Sequence, residues 1–137
     1  MTEGTTTVER PANRGATVER FAYFWASPDT ALLQGSFTED VAGYFPGDPE
    51  PARGPDAYIA RIGRFLELLP DLRLEVAEYA TNGEFTFIRW TATATGTRGP
   101  FEFSGMDRIR TRGELVSENI VVFDTALFRT LSGLEPA

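Results

Sequence analysis

The chain contains no cysteine, no histidine and no lysine in its 137 residues. Without cysteine there are no disulfides, no thiolate nucleophile and no cysteine-based metal site. Without histidine the commonest general base and the commonest metal ligand are both missing. Without lysine no side-chain amine can form a Schiff base. There is no apolar run long enough to span a bilayer and no secretory signal pattern, so a cytoplasmic protein with no membrane partner is expected. All 13 basic residues are arginine, and the net charge is −7 with no basic cluster. Nucleic acid and anionic surfaces are therefore poor partners. Neither a metal nor another cofactor is expected. Whatever chemistry the chain performs must come from Asp, Glu, Tyr, Ser, Thr, Arg or the backbone.

What the sequence does have is apolar bulk: 42% of residues are hydrophobic and 11 are phenylalanine. That suits one domain with a sizeable core. Residues 1–16 are polar, rich in Thr and Glu, and carry Pro11 and Gly15, which predicts a flexible N-terminal tail before a single domain over 17–137. Val18, Phe21, Ala22 and Trp25 then follow helical spacing. Ser27-Pro28-Asp29 ends that helix and opens a short one holding Ala31, Leu32, Leu33 and Phe37. Val41 to Phe45 reads as a short strand, and the segment from Pro46 to Pro51 as a loop. Gly54-Pro55 starts a long helix with a stripe of Ile59, Ile62, Leu66 and Leu69, widened by Tyr58 and Phe65 and closed by Pro70.

Beyond Pro70 the hydrophobic period falls to two. Four strands are predicted: Leu72–Ala80, Phe85–Thr95, Phe101–Thr111 and Leu115–Asp124, joined by turns at Asn82-Gly83, Gly96 to Pro100 and Arg112-Gly113-Glu114. A last helical segment runs from Thr125 to Leu131. Helices followed by an antiparallel meander make an α+β layout, with one face of a curled sheet packed on the long helix.

The third of these strands holds the residue of greatest chemical interest. Alternation puts Phe101, Phe103, Gly105, Asp107 and Ile109 on one face and Glu102, Ser104, Met106, Arg108 and Arg110 on the other. An aspartate among Phe103 and Ile109 either finds a partner or carries a raised pKa. The competing expectation is a solvated edge carboxylate, or one paired with an arginine on the next strand. On the preceding strand, Phe85, Phe87, Arg89 and Thr91 share one face, and Ile88, Trp90, Ala92 and Ala94 the other. Both faces are half apolar. Either Arg89 sits beside Asp107, or Trp90 faces inward and Arg89 lies on the surface. Asp124 is expected to cap the last helix, Asp56 and Asp71 to serve the ends of the long one, and Asp48-Pro49-Glu50 to be a solvated loop without a cationic partner.

The order of elements, together with Arg20-Phe21, Phe37 to Val41, Arg53-Gly54-Pro55-Asp56, Leu69-Pro70-Asp71-Leu72, Gly96-Thr97-Arg98-Gly99, Gly105 to Arg110 and Val122-Phe123-Asp124, resembles the SnoaL-like polyketide cyclases and the wider NTF2-like superfamily. That superfamily includes ketosteroid isomerase and limonene epoxide hydrolase. The resemblance covers Thr17 to Leu131. It implies an NTF2-like cone, in which N-terminal helices pack on a curled, mostly antiparallel sheet around an apolar pocket. It further implies a homodimer joined through the outer face of the sheet. The implied activity is a cofactor-free cyclase or isomerase acting on a hydrophobic polyketide-type intermediate by acid–base or hydrogen-bond catalysis. A non-catalytic ligand-binding or dimerisation module is the alternative.

Carried over by position, Asp107 matches the isomerase Asp that hydrogen-bonds the developing oxyanion, and the cyclases place their acid–base Asp in the same strand motif. Phe21 stands where the isomerase has its oxyanion-binding Tyr, and Phe45 where it has its proton-abstracting Asp. Arg89 matches the pocket Arg of the epoxide hydrolase, but Thr91 and Val121 replace its two catalytic carboxylates. The cyclases' Gly-Thr-His motif reads Gly96-Thr97-Arg98. Asp107 is thus the expected catalytic residue. Phe21, Trp25, Phe45, Tyr58, Arg89, Phe103 and Phe123 are the expected substrate-binding residues, with phenol donors available from Tyr58, Tyr23 and Tyr44.

Overall fold

The switch from helical to alternating periodicity at Pro70 divides the molecule into its two layers. The computed structural model describes residues 15–134. Helix α1 (Ala16–Ala26) buries Val18, Phe21 and Phe24. Helix α2 (Pro55–Leu68) has proline in its first turn and buries Tyr58, Arg61, Ile62 and Phe65. Both cover one face of a six-stranded sheet, and α3 (Thr125–Ser132) closes over its end. The strands are β1 (Phe37–Tyr44), β2 (Ala52–Arg53), β3 (Arg73–Asn82), β4 (Phe85–Gly96), β5 (Gly99–Arg112) and β6 (Leu115–Phe123). Their order across the sheet is β2-β1-β6-β5-β4-β3. The run from β3 to β6 is the expected antiparallel meander; β1 joins β6 in parallel, and β2 lies antiparallel to β1. The sheet is curled and open, and the fold is α+β.

Four expectations need correction. Phe37 is in a strand rather than a helix: the second helix is a single 3-10 turn, Thr30–Leu33, capped by the Asp29 side chain on the Ala31 N–H. Strand β1 therefore begins four residues before Val41. Asp71 does not serve the long helix; it accepts from both the backbone N–H and the hydroxyl of Thr95, tying the start of the meander to the end of β4. Asp48 does have a cationic partner. Arg61 Nε donates to Asp48 Oδ2 at 2.7 Å, and its guanidinium lies over the rings of Phe45 and Phe65. The partner is thirteen residues away, one strand and one helix later, so spacing alone could not reveal it. Of the predicted tail, residues 1–14 lie outside the described residues, and Ala16 already belongs to α1.

Candidate functional site

The site grows from two close approaches that only glycine permits. Trp90 on β4 faces Gly105 on β5 directly across the strand pair. A Cβ at residue 105 would collide with the indole ring and come within 2.7 Å of the Val122 carbonyl oxygen. Likewise a Cβ at Gly43 on β1 would come within 2.6 Å of the Tyr58 ring. Two aromatic rings thus lie flush against the sheet, and each brings a polar atom to the same place.

That place is the carboxyl of Asp107. Trp90 Nε1 donates to Asp107 Oδ1 at 2.8 Å, and Asn119 Nδ2 on β6 donates to Asp107 Oδ2 at 2.8 Å. The same Asn119 nitrogen donates to the Tyr58 hydroxyl at 2.7 Å. Asp107 is 6% exposed, and Asn119, Trp90 and Tyr58 are buried as well. Burial raises the Asp107 pKa to about 6, with the two hydrogen bonds opposing the shift. The Tyr58 phenol is pushed above its ordinary value by burial and by the nearby Asp107 charge. Asp107 is therefore neither a solvated edge carboxylate nor the partner of an arginine.

In front of this cluster is a cavity of about 430 Å³, within the size range of small-molecule sites. Phe21, Trp25, Phe45, Tyr58, Phe103 and Phe123 all line it. Asp107, Asn119 and Trp90 form its polar floor. Arg20, Tyr23 and Leu32 are exposed lining residues and form its rim. Its wall is held by ring contacts, among them Trp90 edge-on to Phe103 and Phe45 edge-on to Tyr58.

Arg89 is not part of it. Inward-facing Ile88 and Trp90 alternate with outward-facing Phe87 and Arg89, and Arg89 is 43% exposed and paired with Glu78 on β3. It lies across from Met106, on the opposite face of the sheet from Asp107. Parity decides the matter: the indole packs inward, so the guanidinium beside it in sequence must point out. Of the other phenols, Tyr23 reaches only the rim and Tyr44 does not line the cavity. Asp124 caps α3 through the Leu127 N–H, as expected, and Asp56 lies in the first turn of α2.

Asn119 lies at the floor of the cavity and was not among the residues expected there. A signal existed: stepping back by two from inward-facing Phe123 gives Val121 and then Asn119 on the same face. What the sequence could not supply was the neighbour relation that sets Asn119 between α2 and β5. Among the described residues no group of acidic side chains is placed to hold a metal ion. No described helix is long and apolar enough to cross a membrane.

Comparison with known proteins agrees with this architecture. Residues 18–119 match the model of the SnoaL-like domain family. Among solved structures, a protein of ketosteroid isomerase-like fold from Catenulispora acidiphila, in complex with trimethylamine, superposes with a TM-score of 0.76 at 17% identity, over 87% of this chain and 93% of that one. A candidate SnoaL-like polyketide cyclase from Jannaschia gives a TM-score of 0.76 at 17% identity over 88% and 91%. IdmH, a candidate polyketide cyclase from Streptomyces antibioticus, gives 0.73 at 18% identity over 86% and 96%. At these identities the likeness establishes the fold. A search of curated proteins gives no match.

Proposed function

Because this chain belongs to the SnoaL-like domain family, we propose that it is a cofactor-free enzyme, a cyclase or isomerase that enolises a hydrophobic polyketide-type intermediate with Asp107 as the base. The observation that carries this reading is the buried Asp107 carboxyl at the floor of an otherwise aromatic cavity, held by two donors and with a pKa raised to about 6. A carboxyl so tuned is ionised at neutral pH yet more basic than an exposed aspartate, which suits proton abstraction next to a carbonyl. Above pH 6 it acts as base and hydrogen-bond acceptor rather than as acid. The aromatic wall contributes by holding a flexible chain in one conformation, an effect that by itself can lower a barrier by several kcal/mol. Exposed Phe87, Met106 and Val122 on the outer face of the sheet support a homodimer built through that face.

The test uses a hydrophobic 1,3-diketone that rests in its diketo form, 2-methyl-1-phenylbutane-1,3-dione deuterated at C2. Wild type should accelerate loss of the deuterium to water, and Asp107→Asn should return the rate to that of buffer. Exchange that is equal in wild type and Asp107→Asn, or absent in both, would leave the family's other role, a ligand-binding module. Sedimentation of wild type against Val122→Arg tests the dimer: a monomeric wild type disproves it.

A further inference from the structure

Hydrogen bonding at the floor of the cavity leaves two groups without partners, the Asn119 carbonyl oxygen and the Tyr58 hydroxyl hydrogen. An amide nitrogen has two hydrogens, and Asn119 spends both, one on Asp107 Oδ2 and one on the Tyr58 oxygen. Tyr58 therefore accepts through its oxygen, and its own hydrogen has to point elsewhere. No described residue accepts it, although Tyr58 is buried and its ring lines the cavity. A buried hydroxyl hydrogen without a partner is costly, and the open volume in front of it is where a partner can enter. We infer that Tyr58 contacts the substrate, donating its hydroxyl hydrogen to a substrate oxygen, and that Asn119 is a positioning residue that sets this donor beside the Asp107 acceptor. The inference rests on the acid–base reading of Asp107 and adds the second polar group that reading lacks.

The geometry favours an oxygen-bearing ligand over a plain hydrocarbon. Two hydrogen bonds of ordinary length from one amide nitrogen place their acceptor oxygens about 5 Å apart. A ligand oxygen on the cavity side can bridge that gap, accepting from Tyr58 and, when it carries a hydrogen, donating to Asp107. During enolisation the Asp107 carboxylate would take the C–H proton, the bonding pair would pass into the enolate, and Tyr58 would hydrogen-bond the new oxyanion while keeping its own proton. Its raised pKa suits it to that role, since a phenol that does not ionise remains a donor across the working pH range.

The probe is 2-naphthol, with naphthalene as its hydroxyl-free control, titrated into full-length protein at pH 7.5 and followed by ligand fluorescence. Tyr58→Phe should weaken 2-naphthol binding about tenfold, the value of one buried hydrogen bond, and leave naphthalene unchanged. Asn119→Leu should weaken 2-naphthol as well. It should also raise the Asp107 titration midpoint, followed by the 13C signal of its carboxyl, by about one pH unit, because one of the two bonds to the charged form is gone. Equal loss for both probes, no loss for either, or no saturable binding of 2-naphthol to wild type would overturn the inference. An unmoved midpoint in Asn119→Leu would overturn the positioning role. These arms need no turnover, so they can fail while Asp107 still drives deuterium loss, and they can succeed where it does not.

Discussion

Trp90 and Asp107, seventeen residues apart on neighbouring strands, are joined at 2.8 Å from the indole nitrogen to one carboxylate oxygen, with both side chains buried. The bond binds the ionised form of Asp107 and opposes the effect of burial. Trp90→Phe keeps most of the ring and removes the donor. It should raise the Asp107 pKa above about 6 and cost about 1–3 kcal/mol at pH 8, where a charged carboxylate loses a partner. Urea denaturation at pH 8 and pH 4.5 checks this: the loss should be smaller at the lower pH, where the carboxyl is neutral.

Asp107 also makes stability depend on pH in an unusual direction. Its folded-state pKa is about 6, above the 3.8 of an exposed aspartate, so between those values the folded protein holds a proton that the unfolded chain has released. The contribution of Asp107 is therefore largest below pH 4, falls as pH rises towards 6, and is flat beyond; the full drop is about 3 kcal/mol. Asp40 and Asp71 act oppositely. Their pKa values are lowered, by hydrogen bonds from Thr38 and Arg112 and from Thr95 respectively, so what they contribute is present above their unfolded pKa and lost at lower pH. Comparing wild type with Asp107→Asn cancels those terms. Plotted against pH, wild-type stability minus Asp107→Asn stability should fall between pH 4 and 6; a level line would show that Asp107 is not held in a desolvating pocket.

Gly105→Ala tests the seating of the indole. The added methyl meets the Trp90 ring on one side and the Val122 carbonyl oxygen on the other, so the ring has to move and its bond to Asp107 breaks. Overpacking of this kind costs about 1–3 kcal/mol. In a Trp25→Phe background, where Trp90 is the only indole left, the emission maximum should shift as Nε1 loses its acceptor, and the midpoint of thermal unfolding should drop.

The pair of Arg61 and Asp48 should behave as a buried ion pair. Arg61 is 2% exposed and Asp48 28%, and Asp48→Ala leaves the guanidinium uncompensated between Phe45 and Phe65. A loss of about 3 kcal/mol is expected in chemical denaturation. Adding Arg61→Met to that variant should recover more than half, since the stem then carries no charge to bury. A double variant as unstable as the single one would mean that Arg61 contributes chiefly through packing.

The meander and the long helix were legible because each rests on local regularity: a two-residue alternation between turn signals, and a stripe ended by Pro70. The aromatic wall was legible for the same reason, since Phe21, Tyr58, Phe103 and Phe123 lie on the buried faces of those elements. Arg89 was not, because alternation on β4 says which residues share a face but not which face is inside when both are half apolar. Gly105 held the answer: it leaves room across the strand pair for a large ring, and Trp90 is the ring opposite. Asn119, and the partner of Asp48, depend on contacts between elements far apart in the chain, which periodicity does not encode.

The parallel pairing of β1 with β6 has a consequence for synthesis. Strand β1 has to wait, one edge unmatched, until residues 115–123 have left the ribosome, because no earlier strand can take that place in the sheet. Asn119, which joins helix to carboxylate, arrives on that same final strand. A truncated or stalled chain would therefore expose an adhesive strand and hold no assembled pocket, so ligand capture and completion of the fold should coincide in time.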